Sequence, residues 1–232
     1  MVQYTSKSVQ IMFGKIDYIN LLPFHIHLKG LPLQNAFKKS LEYKKSFPSK
    51  INKKFLRREL DAAFISSIET SKKGIKTLDL GIVAKKNVQS VLVKKETISQ
   101  NDPHSATSNI LSKILKIDGK VIIGDRALKL FIDNPNDYID LAEVWNKKYN
   151  LPFVFALLSV NRHLKFYKKI SDNFKNKRIK IPQYVLAKYA NERGISKKDI
   201  KRYLSLISYE VESSQRRGLK LFLKKAKSLT QI

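Results

Sequence analysis

An α/β fold divided into two lobes is what this sequence predicts, on three observations. Short apolar runs of strand length alternate with segments of helical spacing, the pattern of sheets covered by helices. Residues 1–93 carry a net charge of +11, 94–157 a net +1 and 158–232 a net +15. That neutral middle between basic ends fits a discontinuous basic lobe of 1–93 plus 158–232, with 94–157 inserted as a smaller α/β lobe. A single domain with an uneven surface is the alternative. The length, 232 residues with 43% hydrophobic, suits one large domain or two of about 100 residues each.

Val9–Phe13 is a short apolar run closed by Gly14 and reads as the first strand. After a loop around Asn20–Pro23, Leu41–Phe47 reads as a second strand. Pro48 then opens a helix carrying Ile51, Phe55, Leu56 and Leu60 at helical spacing, at a position where its missing N–H costs little. Ala62–Ile65, Leu80–Ala84 and Val88–Val93 follow as strands. Ser108–Leu115 is helical, Val121–Ile123 is a strand ending in Gly124, and Ala127–Ile132 is a short helix. Leu151–Val160 is an almost unbroken apolar strand. Everything beyond Arg162 reads as helix, with Lys between apolar positions in Lys197–Tyr203 and Arg216–Lys227. Such alternation predicts a mainly parallel sheet in each half, with ligands at the carboxyl ends of the strands.

Composition narrows the function. The chain holds 46 Lys+Arg against 19 Asp+Glu, a formal charge of +27. This is the electrostatic footprint of a nucleic-acid binder. Only 9 of the 46 are Arg, however, the residue that base-edge recognition uses most, so a solvated Lys-rich surface is the simpler reading and no specific nucleic-acid partner is expected. No apolar run reaches the length of a membrane span, and the first residues lack a signal-peptide pattern, so a cytoplasmic protein without membrane insertion is expected. Zero cysteines exclude disulfides, thiolate zinc sites and cysteine nucleophiles. Walker, G-x-G-x-x-G, H-E-x-x-H and G-x-S-x-G patterns are missing. His25 and His27 have no carboxylate or third His nearby to complete a metal set, and no metal or other cofactor is expected.

The candidate chemistry lies at the predicted strand ends. Ser66-Ser67, Ser90 and Ser105-Ala106-Thr107-Ser108 are small and hydroxylated, and the last opens a helix, where hydroxyls and N–H groups receive a carboxylate or phosphate. Taken alone, the last segment is more simply an ordinary helix cap. Asn20 is polar in an otherwise apolar loop. Arg126, after Gly124-Asp125, is placed to clamp a carboxylate or to pair with Asp125. Phe153 and Phe155 alternate on the last strand, as core or as a ligand platform.

Taken together, six segments carry a family pattern. They are 14–23 (GKIDYINLLP), 59–69 (ELDAAFISSIE), 88–91 (VQSV), 105–108 (SATS), 123–128 (IGDRAL) and 151–157 (LPFVFAL). Their order and spacing resemble the chorismate dehydratases of the futalosine route to menaquinone. The resemblance covers roughly residues 9–160, and the tail matches loosely around Gly218-Leu219 and Phe222. The chain departs at Arg57-Arg58, where a small residue and Gly are usual, at Ser66, where Pro is common, and at Leu158, where Trp is frequent. A sister enzyme of that pathway, 1,4-dihydroxy-6-naphthoate synthase, shares the fold, but the Asn20-Leu-Leu-Pro and Gly124-Asp-Arg-Ala-Leu segments fit the dehydratase better.

The resemblance implies a two-lobed fold like the type II periplasmic binding proteins, with the ligand cleft between lobes and crossings near Val93 and Leu157. It implies removal of water from the dicarboxylate chorismate without cofactor. Asn20 is then the residue at the reacting centre, acting by orientation because a neutral amide is a poor base. Ser66, Ser67, Ser90, Ser105, Ala106, Thr107, Ser108, Arg126 and Phe153 form the candidate substrate-binding set. A non-catalytic anion-binding module is the alternative from another class.

Overall fold

The computed structural model describes residues 11–33, 35, 37–38, 45–177 and 179–229. Two sheets organise them. The larger has strand order β1-β2-β7-β3-β8, with β1 Phe13–Gly14, β2 Ala62–Ser66, β3 Lys76–Ala84, β7 Phe153–Val160 and β8 Ile207–Glu210. The smaller has order β5-β4-β6, with β4 Val91–Lys94, β5 Lys120–Ile123 and β6 Tyr138–Asp140. The chain leaves the larger sheet after Ala84 and re-enters it at Phe153, so each crossing falls a few residues before the boundary that charge alone marks. Charge reports surface composition, whereas sheet membership follows the buried strands.

The expectation of mainly parallel sheets is corrected. Among the strands of the described residues only β1 and β2 pair in parallel; β7 is antiparallel to both β2 and β3, β8 to β3, and β4 to both β5 and β6. Connectivity supplies the reason. β2, β3 and β5 run toward the space between the sheets, where the last residues of β2 and β5, Ser66 and Ile123, and Ile82 near the end of β3 reach it. β4 and β7 enter the opposite sheet from that same space, with Val91 and Phe155 on its wall, and must run away from it.

Helices flank the sheets: α1 Leu22–Gly30, α2 Pro48–Leu56, α3 Ala106–Leu115, α4 Gly124–Asp133, α5 Leu141–Tyr149, α6 Leu164–Lys175, α7 Gln183–Arg193, α8 Lys197–Leu206 and α9 Ser213–Leu229. Pro48 starts α2, which buries Ile51 and Phe55. Asn20–Pro23, expected as a loop, is instead a 3-10 turn (Ile19–Leu21) running into α1, with Pro23 in the first helical turn. This places His25 and His27 on a helix, both buried. Strand β8 interrupts the expected all-helical tail, because Ile207 and its neighbours complete the larger sheet's edge against β3. Of the strand expected at 41–47, residues 41–44 lie outside the described ones; Lys45 bridges to Lys15 in parallel. Residues 9 and 10 of the first expected strand also lie outside them.

The core joins both sheets. Phe13, Phe64 and Phe174 meet Phe24 in tilted and edge-to-face contacts in the core of the larger one, while Trp145, Phe153 and Phe222 close edge to face where α5 and α9 meet β7. Each of these aromatics contributes about 2–3 kcal/mol by burial. Gly218 lets α9 sit against the Pro152 carbonyl, since a Cβ there would lie 2.2 Å from that oxygen.

Candidate functional site

Between the sheets lies a cavity whose wall comes from both lobes. Ile16, Tyr18, Asn20, Leu21, Pro48, Phe64, Ser66, Ile82, Phe155 and Ala156 face Val88, Ser90, Val91, Ser105, Ser108, Ile123 and Gly124. Four helices begin on it: α1 after Leu21, α2 at Pro48, α3 after Ser105 and α4 at Gly124. Helix starts carry positive partial charge, so the wall favours an anion, although the Ser108 and Gly124 N–H groups already donate to Ser105 Oγ and the Ser90 carbonyl. Among the described residues that line it none is Lys, Arg, His, Asp or Glu.

The serines are wired by neighbours. Ser66 Oγ accepts from Asn52 Nδ2 at 2.8 Å, and the Ser66 N–H donates to Asn52 Oδ1 at 3.1 Å. Ser105 Oγ caps α3 by accepting the Ser108 N–H and donates its proton to Ser108 Oγ at 2.7 Å. Ser90 Oγ lies 2.8 Å from the Tyr203 hydroxyl. Ser66 and Ser108 thus already receive a proton from the protein, and each keeps its own hydroxyl hydrogen to donate into the cavity. These are neutral donors arranged for an acceptor-rich ligand.

The frame that aims these groups is built from the buried Asp140 and the half-buried Asp125 carboxylates. Asp140 accepts the N–H groups of Val88 at 2.8 Å and Gln89 at 2.6 Å, and also caps α5 through Ala142 and Glu143. It fixes the turn that delivers Ser90, in which Gln89 has φ +58°. Burial raises the Asp140 carboxyl above its ordinary value, and those four N–H donors oppose the rise. Asp125, second residue of α4, accepts the Ile19 N–H and pairs with Arg193. Arg193 also donates to the Asp17 carbonyl at 3.0 Å and stacks on the Tyr189 ring. Gly124, at φ +73°, packs directly on the Tyr18 ring. Burial pushes the Tyr18 phenol upward, aided by Asp102 and Asp125, so it stays protonated at neutral pH.

The residues singled out from the sequence divide into two groups. Asn20, Ser66, Ser90, Ser105 and Ser108 meet at the cavity. Ser67 donates to the Val154 carbonyl at 2.6 Å, and Thr107 Oγ1 accepts the Ile68 N–H at 3.2 Å, so both join β7 and the turn after β2 to α3. Ala106, the first residue of α3, is not among the lining residues. Arg126 is exposed and off the cavity wall, and Asp125 pairs with Arg193 in its place. Helical geometry explains this: one step beyond Asp125 turns the side chain by about 100° toward solvent. Phe153 is buried against Trp145 and Phe222, while Phe155 reaches the cavity. Sequence reasoning missed Tyr18, Asn52, Asp140 and Arg193 as site-shaping residues. Asp140 just before a helical segment carried an N-cap signal that could have found it; Arg193 carried none.

Fold and site together define a two-lobed α/β protein with a periplasmic-binding-protein-like fold and a cavity of neutral hydrogen-bond donors between its lobes. Its solved structural relatives agree on the fold. A structural-genomics protein of Archaeoglobus fulgidus superposes with a TM-score of 0.69 at 13% identity, over 97% of this chain and 100% of that one. A Candida albicans protein described as having the generic periplasmic binding protein fold gives 0.52 at 11% identity, over 95% and 91%. The chain belongs to the menaquinone biosynthesis family, whose model matches residues 11–116 and 104–228. It is 52% identical over 220 residues to the chorismate dehydratase of Campylobacter jejuni, covering 94% of this chain and 99% of that protein.

Proposed function

We propose that this chain is a carbon–oxygen lyase that dehydrates chorismate to 3-[(1-carboxyvinyl)oxy]benzoate, in the cytoplasm, as a step of the futalosine route to menaquinone. Family membership and the identity to the Campylobacter jejuni enzyme support the reaction. The cavity supports the substrate class, and one observation carries it: serine hydroxyls and four helix starts on a wall without charged side chains. Such a wall holds a dicarboxylate through fixed neutral dipoles, with no cationic side chain in contact.

The chemistry balances within the substrate. The ring carbon bearing the enolpyruvyl ether loses a proton, the neighbouring carbon loses its hydroxyl, and the two leave as water. The new double bond completes the aromatic ring, which drives the step. Among the described residues no carboxylate, imidazole or amine lies on the wall to take the proton, and the Tyr18 phenol is held protonated. The substrate's own side-chain carboxylate is therefore the acceptor, and Asn20 orients the reacting centre. Ser66, Ser90, Ser105, Ser108 and the α3 start hold the carboxylates.

Asn20→Ala tests this assignment: kcat falls far more than binding of chorismate. Near wild-type turnover in that variant contradicts the role. Release of unchanged chorismate by the unmodified chain supports a non-catalytic anion-binding module instead.

A further inference from the structure

Asn52 sits in the body of α2, a helix whose buried side otherwise consists of Ile51 and Phe55. Asparagine is a poor helix former, and a buried amide left unbonded costs more still, so this side chain needs partners of its own. It finds both on one residue. The Ser66 N–H donates to Asn52 Oδ1 at 3.1 Å, and Asn52 Nδ2 donates to Ser66 Oγ at 2.8 Å. The first bond settles the direction of the second: a backbone N–H only donates, so the amide oxygen faces it and the NH2 faces the hydroxyl. Asn52 is buried behind the cavity and is not among the residues that line it, whereas Ser66 is.

A serine hydroxyl on its own turns to donate or to accept as its ligand demands. Here Oγ already receives a proton from Asn52, and the hydroxyl hydrogen is left for the cavity. Among the described residues Ser66 is the one serine that the larger lobe places on the wall, opposite Ser90, Ser105 and Ser108 of the smaller lobe. We infer that Asn52 is a positioning and specificity-determining residue for the dehydration: its amide holds Ser66 as a fixed donor, which meets a substrate carboxylate from the larger lobe and disfavours a group with only protons to offer, such as an ammonium. The inference rests on the reading of this cavity as the dehydration site. A carboxylate in place of the amide would still accept the Ser66 N–H but would draw the hydroxyl proton to itself, turning the Ser66 lone pairs toward the substrate's negative charge.

Asn52→Asp makes that exchange. Its charge also repels a dianion directly, so the test is a double-mutant cycle with Ser66→Ala, in which direct repulsion acts in both backgrounds and cancels. KM and kcat for chorismate are measured in the four proteins, with Kd for the product, which is not consumed, as a second readout. Ser66→Ala alone raises KM at least about fivefold, and Asn52→Asp raises KM and Kd at least about fivefold more in the wild-type background than in Ser66→Ala, while kcat stays within about threefold. A merely structural part for Asn52 changes both backgrounds by the same factor, and that result overturns the inference. So does a KM in Ser66→Ala within about twofold of wild type, whatever the Asn52 variants do. If Asn52→Asp does not fold, Asn52→Leu takes its place in the cycle: KM rises at least about threefold in the wild-type background and stays within about twofold in Ser66→Ala. If the wild type binds chorismate but leaves it unchanged, the dehydratase reading fails, and the same cycle read in Kd for chorismate judges Asn52 alone. A wild type that neither binds nor converts chorismate overturns both.

Discussion

Asp125 Oδ1, at the start of a helix in the smaller lobe, accepts the backbone N–H of Ile19 in the larger lobe at 2.9 Å. Its second oxygen takes the Arg193 guanidinium, which also reaches the Asp17 carbonyl. One carboxylate therefore ties the residue preceding Asn20 to the helix that opens at Gly124. Asp125→Ala leaves a largely buried Arg193 and the Ile19 N–H without this acceptor. It costs on the order of 3 kcal/mol in urea unfolding and lowers kcat at least about tenfold by loosening Asn20. Asp125→Asn keeps an acceptor for Ile19 and loses less on both measures.

Gly124 and Tyr18 set the shape of the same wall. A Cβ at Gly124 would stand 2.7 Å from the Tyr18 ring, and the φ of +73° disfavours any L side chain. Gly124→Ala pushes Tyr18 into the cavity. Its kcat/KM for chorismate falls by about a hundredfold, more than the backbone cost of about 1 kcal/mol explains. Steady-state kinetics with a melting curve separates the two effects.

Arg126 makes the opposite case. It is exposed and off the wall, so Arg126→Ala leaves KM for chorismate within about twofold of wild type. A large rise in KM in the same assay would return Arg126 to the substrate.

His27 links stability to pH. Burial disfavours its charged form, nearby Lys177 adds to this, and a backbone hydrogen bond to Ile170 opposes it, leaving its value below the ordinary 6.5. A lowered folded value means that the stability contributed by neutral His27 is present above pH 6.5 and is lost as pH falls through the folded value. The melting midpoint of the wild type drops on acidification from pH 7 to about 5. In His27→Leu the drop is shallower, and equal slopes would exclude His27 as the source.

The cavity serines were legible because small hydroxyl residues at the edges of apolar or helical segments carry a local signal: Ser66 ends β2, Ser90 precedes β4, Ser105 and Ser108 open α3, and all reach the cavity. Orientation within an element was less legible. Phe153 and Phe155 share a strand face by period, yet Phe153 goes to the Trp145 cluster and Phe155 to the cavity, because β7 passes from one environment to the other along its length. Strand direction was misread for a topological reason: alternation of strand and helix says nothing of a chain that crosses between sheets and returns. Arg193 and Tyr203 were illegible because their partners Asp125, Asp17 and Ser90 lie 68 or more residues away, a distance that only the fold closes.

Chorismate turnover is the direct test of the central claim. Purified protein in chelator-treated buffer is mixed with chorismate, and the products are followed by mass spectrometry and by the rise of benzoate absorbance. The account predicts loss of one water per molecule, with 3-[(1-carboxyvinyl)oxy]benzoate as product and a markedly slower reaction in Asn20→Ala. Recovery of unchanged chorismate from the wild-type protein would contradict it.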